Sequence, residues 1–282
     1  MPESGVEHGH AASGITLCMP ELPEVERARK LAETHLAGRR ICAVTTKADP
    51  IVYTGVTARR FARALTGRCV QAVRRRGKHL WFELDQRPWP TFHFGMTGSF
   101  QVYEDASQRP RFWKLELLAD GMRLAFRDAR RLGRIRLLDD PEHEPPIGKL
   151  GFDPLLDMPE LPAFAARLNH RRAPIKAVLL DQSFSAGIGN WIADEVLYQA
   201  RIAPARHACH LTPDEVRRLR STILRVIRKA VELDADNSRF PRTWLFHHRW
   251  GRNAHAVTYR GEKIIHETIG GRTTAWVPAV QT

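Results

Sequence analysis

Three short segments carry the residue types that handle phosphate. Arg74-Arg75-Arg76-Gly77-Lys78-His79 lies between two strand-like runs and sets four cations around one glycine. That composition suits a projecting turn over anionic oxygens, with a plain solvated surface as the competing reading. Ser185 to Pro204 (SAGIGNWIADEVLYQARIAP) places Gly187 and Gly189 where a tight turn is needed and Asn190 where it can cap a helix from Trp191. Free N–H groups at a helix start attract phosphate without side-chain charge; an ordinary turn between helices is the alternative. Near the C-terminus, Gly270-Gly271-Arg272 reads as a hairpin tip with an exposed arginine, or as an ordinary surface turn. In HFGMTG, His93 is either a core histidine or a phosphate donor, and Met96 reads more readily as core. His207 and His210 flank Cys209 at a metal-like spacing, but no second pair accompanies them, so no metal is expected.

These segments need elements to position them. Glu21 opens a helix in which Pro23 suits the first turn, Glu24 and Glu26 favour the positive end of the dipole, and Gly38 marks the stop. From 41 to 138 the chain reads mostly as strands: ICAVTTK, RCVQAV, KHLWFEL, TFHFGMTGSFQVY, FWKLELL, MRLAF and RIRLL, with Asp120-Gly121 as a hairpin turn. A proline- and acid-rich linker over 141–160 follows. The period then becomes helical, over Ala163 to Asn169, over Ile175 to Gln182, from just after Gly189, and from the capping box Thr212-Pro213-Asp214-Glu215. The tail after Asn237 is short, aromatic and basic, as a small hairpin appendage would be. The reading is an α+β chain: a β-sandwich with a leading helix over 19–140, a helical domain over 161–238 and a hairpin over 239–282.

Composition narrows the partner. With 282 residues, 43% hydrophobic and 27% charged, the chain has material for a core, and a net charge of +13 points to a polyanion or an anionic membrane surface. No stretch approaches the roughly 20 apolar residues of a spanning helix, which excludes insertion. The 4 cysteines form no CxxC pair, so neither a zinc site nor a disulfide framework is suggested and a reduced intracellular compartment is expected. Residues 1–18 are polar and patternless, read as a disordered extension, and lack the basic and apolar regions of a secretion signal.

Together MPELPEVE, RRRGKHL, HFGMTGS, DARRLGR, LLDQSFSAGIGNWIADEVLYQARIAP and GGRTTAWVPAVQ, in this order, resemble the formamidopyrimidine-DNA glycosylases and their endonuclease VIII-like relatives from Met19 onward. The resemblance implies a bifunctional glycosylase and lyase that binds double-stranded DNA as a monomer without a cofactor. It would excise oxidised purines (8-oxoguanine and formamidopyrimidines) and cut the strand by β,δ-elimination. The implied fold is a β-sandwich, a helix–two-turns–helix domain and a C-terminal finger. By the same resemblance Pro20 is the nucleophile, once it is the first residue, and Glu21 its acid/base partner. A terminal amine titrates at about 8, so it keeps a neutral fraction that a lysine near 10.4 lacks. Lys78 and Arg272 complete the implied catalytic set.

The implied DNA contacts are His93, Arg171, Lys176 and Asn190. Met96 and Arg130 match two side chains that fill the void of an extruded nucleotide, and Leu132 stands where many members have an aromatic. Where the family's finger has four zinc-binding cysteines, this chain has Val257, Arg260, Val277 and Val280, so a zincless finger is expected. Inside a longer chain the nitrogen of Pro20 is a tertiary amide that cannot form an iminium, so translation from Met19 is expected. An endonuclease VIII-like preference for oxidised pyrimidines is the alternative, and a non-catalytic binder of damaged DNA is another if residues 1–18 are retained. The implied location is intracellular, in the nucleoid or, in a eukaryote, the nucleus.

Overall fold

A computed structural model describes residues 19–251 and 253–282; the expectation for residues 1–18 lies outside them. Chain order in the first half is α1 (Leu22–Leu36), β1 (Ala43–Thr46), α2 (Ala58–Leu65), β2 (Val70–Arg76), β3 (His79–Leu84), β4 (Trp89–His93), β5 (Ser99–Tyr103), β6 (Trp113–Ala119), β7 (Met122–Arg127) and β8 (Arg134–Leu138). The second half holds α3 (Leu161–Asn169), α4 (Ile175–Leu180), α5 (Asn190–Ala200), α6 (Pro213–Glu232), β9 (Ile265–Ile269) and β10 (Arg272–Trp276).

Two antiparallel sheets, β1-β6-β7-β5 and β2-β3-β4-β8, form the N-terminal sandwich. Their inner faces meet through aromatic rings, with Phe100 5.2 Å from Phe92 and 5.9 Å from Phe82. Asp120 and Gly121 turn β6 into β7 with φ of 45° and 80°, the left-handed pair that such a hairpin turn requires. The helical domain packs α3 to α6 around a second core that includes Trp191, Ile223 and Val226. Helix α6 starts on a closed capping box: the Thr212 hydroxyl accepts the Glu215 N–H, and the Glu215 carboxylate accepts the Thr212 N–H at 2.8 Å. The hairpin β9–β10 rests on a third, small cluster of Leu245, Ile264, Ala275 and Val277, with Val280 packed against it. Among the described residues, no helix is long and apolar enough to cross a membrane.

The leading helix belongs to both large cores. Leu22 lies in the core of the helical domain, whereas Val25, Ala32 and Leu36 lie in the sandwich core. A buried charge cluster reinforces that junction. Arg75, 4% exposed, donates to Glu26 of α1 at 2.8 Å and to Asp153 at 2.5 Å, and Asp153 also accepts the Gly77 N–H at 2.7 Å.

The structure corrects three sequence readings. TFHFGMTGSFQVY is not one strand: Gly95, at φ 60°, and a Gly98 N–H bond to the Phe94 carbonyl turn the chain so that β4 and β5 enter different sheets. Helix α2 lies within the run read as strands, started by Thr57, whose hydroxyl accepts the Arg60 N–H. Phe61 and Leu65, four apart and both buried, were its signal. The RRRGKH turn does not project into solvent. Gly77, at φ 57°, lies so close to Ala186 that a Cβ there would meet the Ala186 Cβ at 2.9 Å, and Arg75 faces inward.

Removing one partner of the buried Arg75 pair strands a charge. Asp153→Ala is therefore expected to lower unfolding free energy by about 3–5 kcal/mol, measured by denaturant titration; a change below about 1 kcal/mol would show that the cluster does not hold the domains together.

Candidate active site

The N-terminus of α5 is where the sequence placed a phosphate, and the structure fills it with a side chain. Glu21, 1% exposed, accepts N–H bonds from Gly189 at 2.8 Å, Trp191 at 2.9 Å and Ile192 at 3.2 Å. A carboxylate at a helix start satisfies orphan amides and meets the positive end of the dipole. Gly189 is required by contact and not by its φ of −124°: a Cβ there would collide with the Glu21 carboxyl group. Gly187 has the true left-handed φ, 99°. So the α5 terminus is an anion site already occupied by the protein, and Asn190 is its first helical residue, not its cap.

Glu24 returns its carboxylate to the Glu21 N–H at 3.0 Å. Burial first, and the Glu21 charge second, push its acid up to about 8. Burial raises Glu21 as well, opposed by the Lys78 charge and by the backbone amides of Trp191 and Ile192. Both carboxyls are therefore biased toward the acid form. Lys78 donates to the Ile188 carbonyl at 3.1 Å, which brings the turn against the α5 loop. Pro20, Glu24 and Met96 line one cavity of about 770 Å³ beside α1.

Two loops border this cavity from the sandwich, and one carboxylate organises both. Asp128, fully buried, accepts the Thr97 hydroxyl at 3.0 Å and the N–H groups of Arg130, Arg131 and Gly133. Met96 is half-buried, Arg130 is exposed and Leu132 is 38% exposed. Half-buried His93 faces Lys78, Arg134 and Arg136, and burial with those charges pushes it down to about 4, so it is neutral near pH 7.

From the other side comes the finger. Arg272, exposed, starts β10 behind Gly270 and Gly271, and Gly270 lies against Ala177 of α4. The next carbonyl, Thr273, accepts Asn190 Nδ2 at 2.9 Å and Lys176 Nζ at 3.2 Å. Here the expected phosphate role of Lys176 is corrected. Its side chain is fully buried and ion-paired with Asp194 at 2.6 Å, and Asp194 in turn meets Arg249 at 2.6 Å and the Ala275 N–H at 3.1 Å. Lys176 and Asn190 thus fix the backbone next to Arg272. Arg171 is half-buried, paired with Asp181 at 3.0 Å and set over Phe184. The four positions aligned with zinc ligands divide: Val277 and Val280 pack the finger's apolar cluster, and Val257 and Arg260 are exposed.

Sequence reasoning missed Asp128, Asp194 and Arg249. Asp128 and Asp194 stood inside quoted motifs, yet a lone acid carries no local sign that donors will converge on it. Lys176 adjacent in space to Asp194 is a contact between α4 and α5 that periodicity does not encode.

A sandwich and a helical domain thus meet at a buried carboxylate, with Pro20 on a cavity and an exposed arginine at the start of β10. Comparison with known proteins gives the family. A model described as formamidopyrimidine-DNA glycosylase N-terminal domain matches residues 19–135, and one described as formamidopyrimidine-DNA glycosylase H2TH domain matches 150–242. The chain belongs to the formamidopyrimidine-DNA glycosylase family. A formamidopyrimidine-DNA glycosylase of Arabidopsis thaliana is 42% identical over 277 residues, covering 93% of this chain and 71% of its own. One from Desulfitobacterium hafniense is 33% identical, covering 93% and 100%. The Lactococcus lactis enzyme bound to abasic-site DNA superposes with a TM-score of 0.81 at 25% identity, covering 93% of this chain and 99% of that one. The same enzyme with DNA containing N7-benzyl-Fapy-dG gives 0.81 at 26%, covering 93% and 100%.

Burial raises Glu195, which caps the Phe246 N–H at 2.8 Å, to about 7. A carboxyl raised from an ordinary 4.5 favours folding below that value, and the gain is lost as pH rises to about 7. Between those limits unfolding free energy is expected to fall by an amount on the order of 3 kcal/mol, and Glu195→Gln to flatten the decline; parallel pH profiles of denaturant unfolding for the two proteins would refute it.

Proposed function

We propose that the chain removes oxidised purines from duplex DNA and cuts the strand there, with the imino nitrogen of Pro20 as nucleophile. The observation that carries this is the placement of Pro20 and Glu24 on one cavity while Glu21, the residue between them and the α5 start, is locked by three backbone amides. The proline lone pair attacks the sugar C1′ and the bond from C1′ to the base breaks. The departing base takes a proton from a carboxylic acid, the role a neutral Glu24 or Glu21 can fill. Loss of the amine proton lets the nitrogen lone pair expel O4′, which takes a proton as the C1′–O4′ bond breaks; the ring-opened iminium then acidifies the adjacent C2′–H. A base removes that proton and the 3′ phosphate leaves; a second elimination expels the 5′ phosphate. Water then releases Pro20 and the sugar remnant.

Before this the nucleotide must leave the stack, and Met96, Arg130 and Leu132 are assigned to fill the space it vacates. Lys78, His93 and Arg272 are assigned to backbone phosphates, with Asn190 acting through Thr273. The Lactococcus lactis relative's binding of abasic-site and Fapy-dG DNA supports this assignment. The protein acts where chromosomal DNA lies.

The chemistry needs a secondary amine, so the active form begins at Pro20. Borohydride is expected to cross-link abasic-site DNA to a chain starting at Pro20 and not to one retaining residues 1–18. Adduct formation by the longer chain, with its first residue verified by mass, would overturn the proline assignment; binding without any adduct in the shorter one would leave a damage-binding protein.

Glu21→Gln keeps an acceptor for the α5 amides and loses the acid. Single-turnover release of the oxidised base is expected to slow on the order of 10²-fold or more, and a rate within about threefold of the parent would exclude Glu21 from proton transfer.

A further inference from the structure

The face of sheet β2-β3-β4-β8 that points away from the sandwich core carries cations that folding leaves without counter-charge. Register places His79 beside His93, His93 beside Arg134, and Thr91 beside Arg136, and cross-strand partners share a face. The opposite face holds Leu80, Phe92 and Ile135, all buried in the core. Arg134 donates only to the carbonyls of Arg131 and Gly133. Among the described residues no carboxylate lies within ion-pair distance of Arg134 or Arg136, whereas Arg131, in the same segment, pairs with Asp49 at 2.9 Å. Burial first and the Arg134 charge second lower Arg136, and the charged groups acting on His93 are Lys78, Arg136 and Arg134.

Such crowding opposes folding and is stabilised only by an added anion. Clefts lined by one sign of charge act in this way on polyanions. The row continues from Lys78 and His93, already assigned to phosphate. Arg134 and Arg136, two strand residues apart, span about 6.6 Å, or about two nucleotide steps at 3.4 Å of axis each.

We propose that Arg134 and Arg136 of β8 form a rail for the DNA backbone, extending the phosphate contacts of Lys78 and His93 into the flanking duplex. It rests on the DNA-repair reading above. A rail of this kind supplies sequence-independent affinity and register, and it leaves the chemical step untouched.

The test compares the parent, Arg134→Gln/Arg136→Gln and Arg134→Lys/Arg136→Lys, each starting at Pro20. Affinity for an abasic-site duplex is measured across a salt series, with single-turnover cleavage at saturating protein. For the glutamine pair the slope of log affinity against log salt is expected to fall by about 2, at about 0.9 per lost contact. Affinity near 0.1 M salt should drop roughly 10- to 100-fold, with the saturated rate within about twofold and the melting temperature unchanged or higher. The lysine pair should keep the parent slope. An unchanged slope and affinity in the glutamine pair would overturn the rail. So would inorganic pyrophosphate raising the melting temperature of the parent alone while the DNA slopes coincide, which would mark a site for free anions. If the parent forms no borohydride adduct but the slope still falls, the rail stands and the repair reading fails.

Discussion

A carboxylate buried between two helix starts is the constraint on which this molecule turns. Glu21 precedes α1 and receives the first amides of α5, so the leader of the sandwich and the central helix of the other domain share one side chain. Burying an acid is costly unless its oxygens find donors, and three amides plus the nearby Lys78 charge supply them. The helix dipole is thereby used internally, and the α5 start is not open to an outside anion. The arrangement also fixes the residue before Glu21, Pro20, at the mouth of a cavity. The geometry that holds the domains together is also the geometry that places Pro20.

The motifs revealed which segments converge, but not which atoms face solvent. Gly187, Gly189 and Asn190 were rightly singled out; the tenant of the helix start was not, because Glu21 lies 168 residues from the Gly189 amide it accepts. Arg75 read as a phosphate cation on composition, and Lys176 through the family resemblance. Both are buried against acids, Asp194 for one and Glu26 with Asp153 for the other, and no local pattern distinguishes a cation aimed inward from one aimed out. Met96 read as core and lines the cavity beside Pro20. Helix α2 was hidden by its length of 8 residues, too short for a full amphipathic period to outweigh flanking strands. Strands with regular alternation and a dipeptide turn, such as β6 and β7, were legible for the opposite reason: their signal is local.

The finger shows how a small hairpin keeps its position through packing and buried charge. An isolated two-stranded hairpin is marginal in water. Here Ala275 and Val277 pack on Leu245 and Ile264, and Asp194 draws Arg249, Lys176 and the Ala275 amide onto one carboxylate. Lys176 and Asp194 come from α4 and α5, so the tip is referenced to the helix whose first turn holds Glu21. Arg272 therefore inherits its position from the same helix that positions the acid.

Charge distribution then separates structure from recognition. Cations that serve the fold sit beside carboxylates: Arg75, Lys176, Arg249 and Arg131 each have one. Among the described residues the cations on β8 have none, and burial first, with Lys78, Arg136 and Arg134 after it, keeps the imidazole beside Arg134 neutral. A net charge of +13 is thus not spread evenly as solvation; the interior cations are matched, and the excess falls partly on a strand beside the catalytic turn. Under the proposed function this unmatched charge supplies the attraction that holds the DNA backbone while the sugar reaches Pro20.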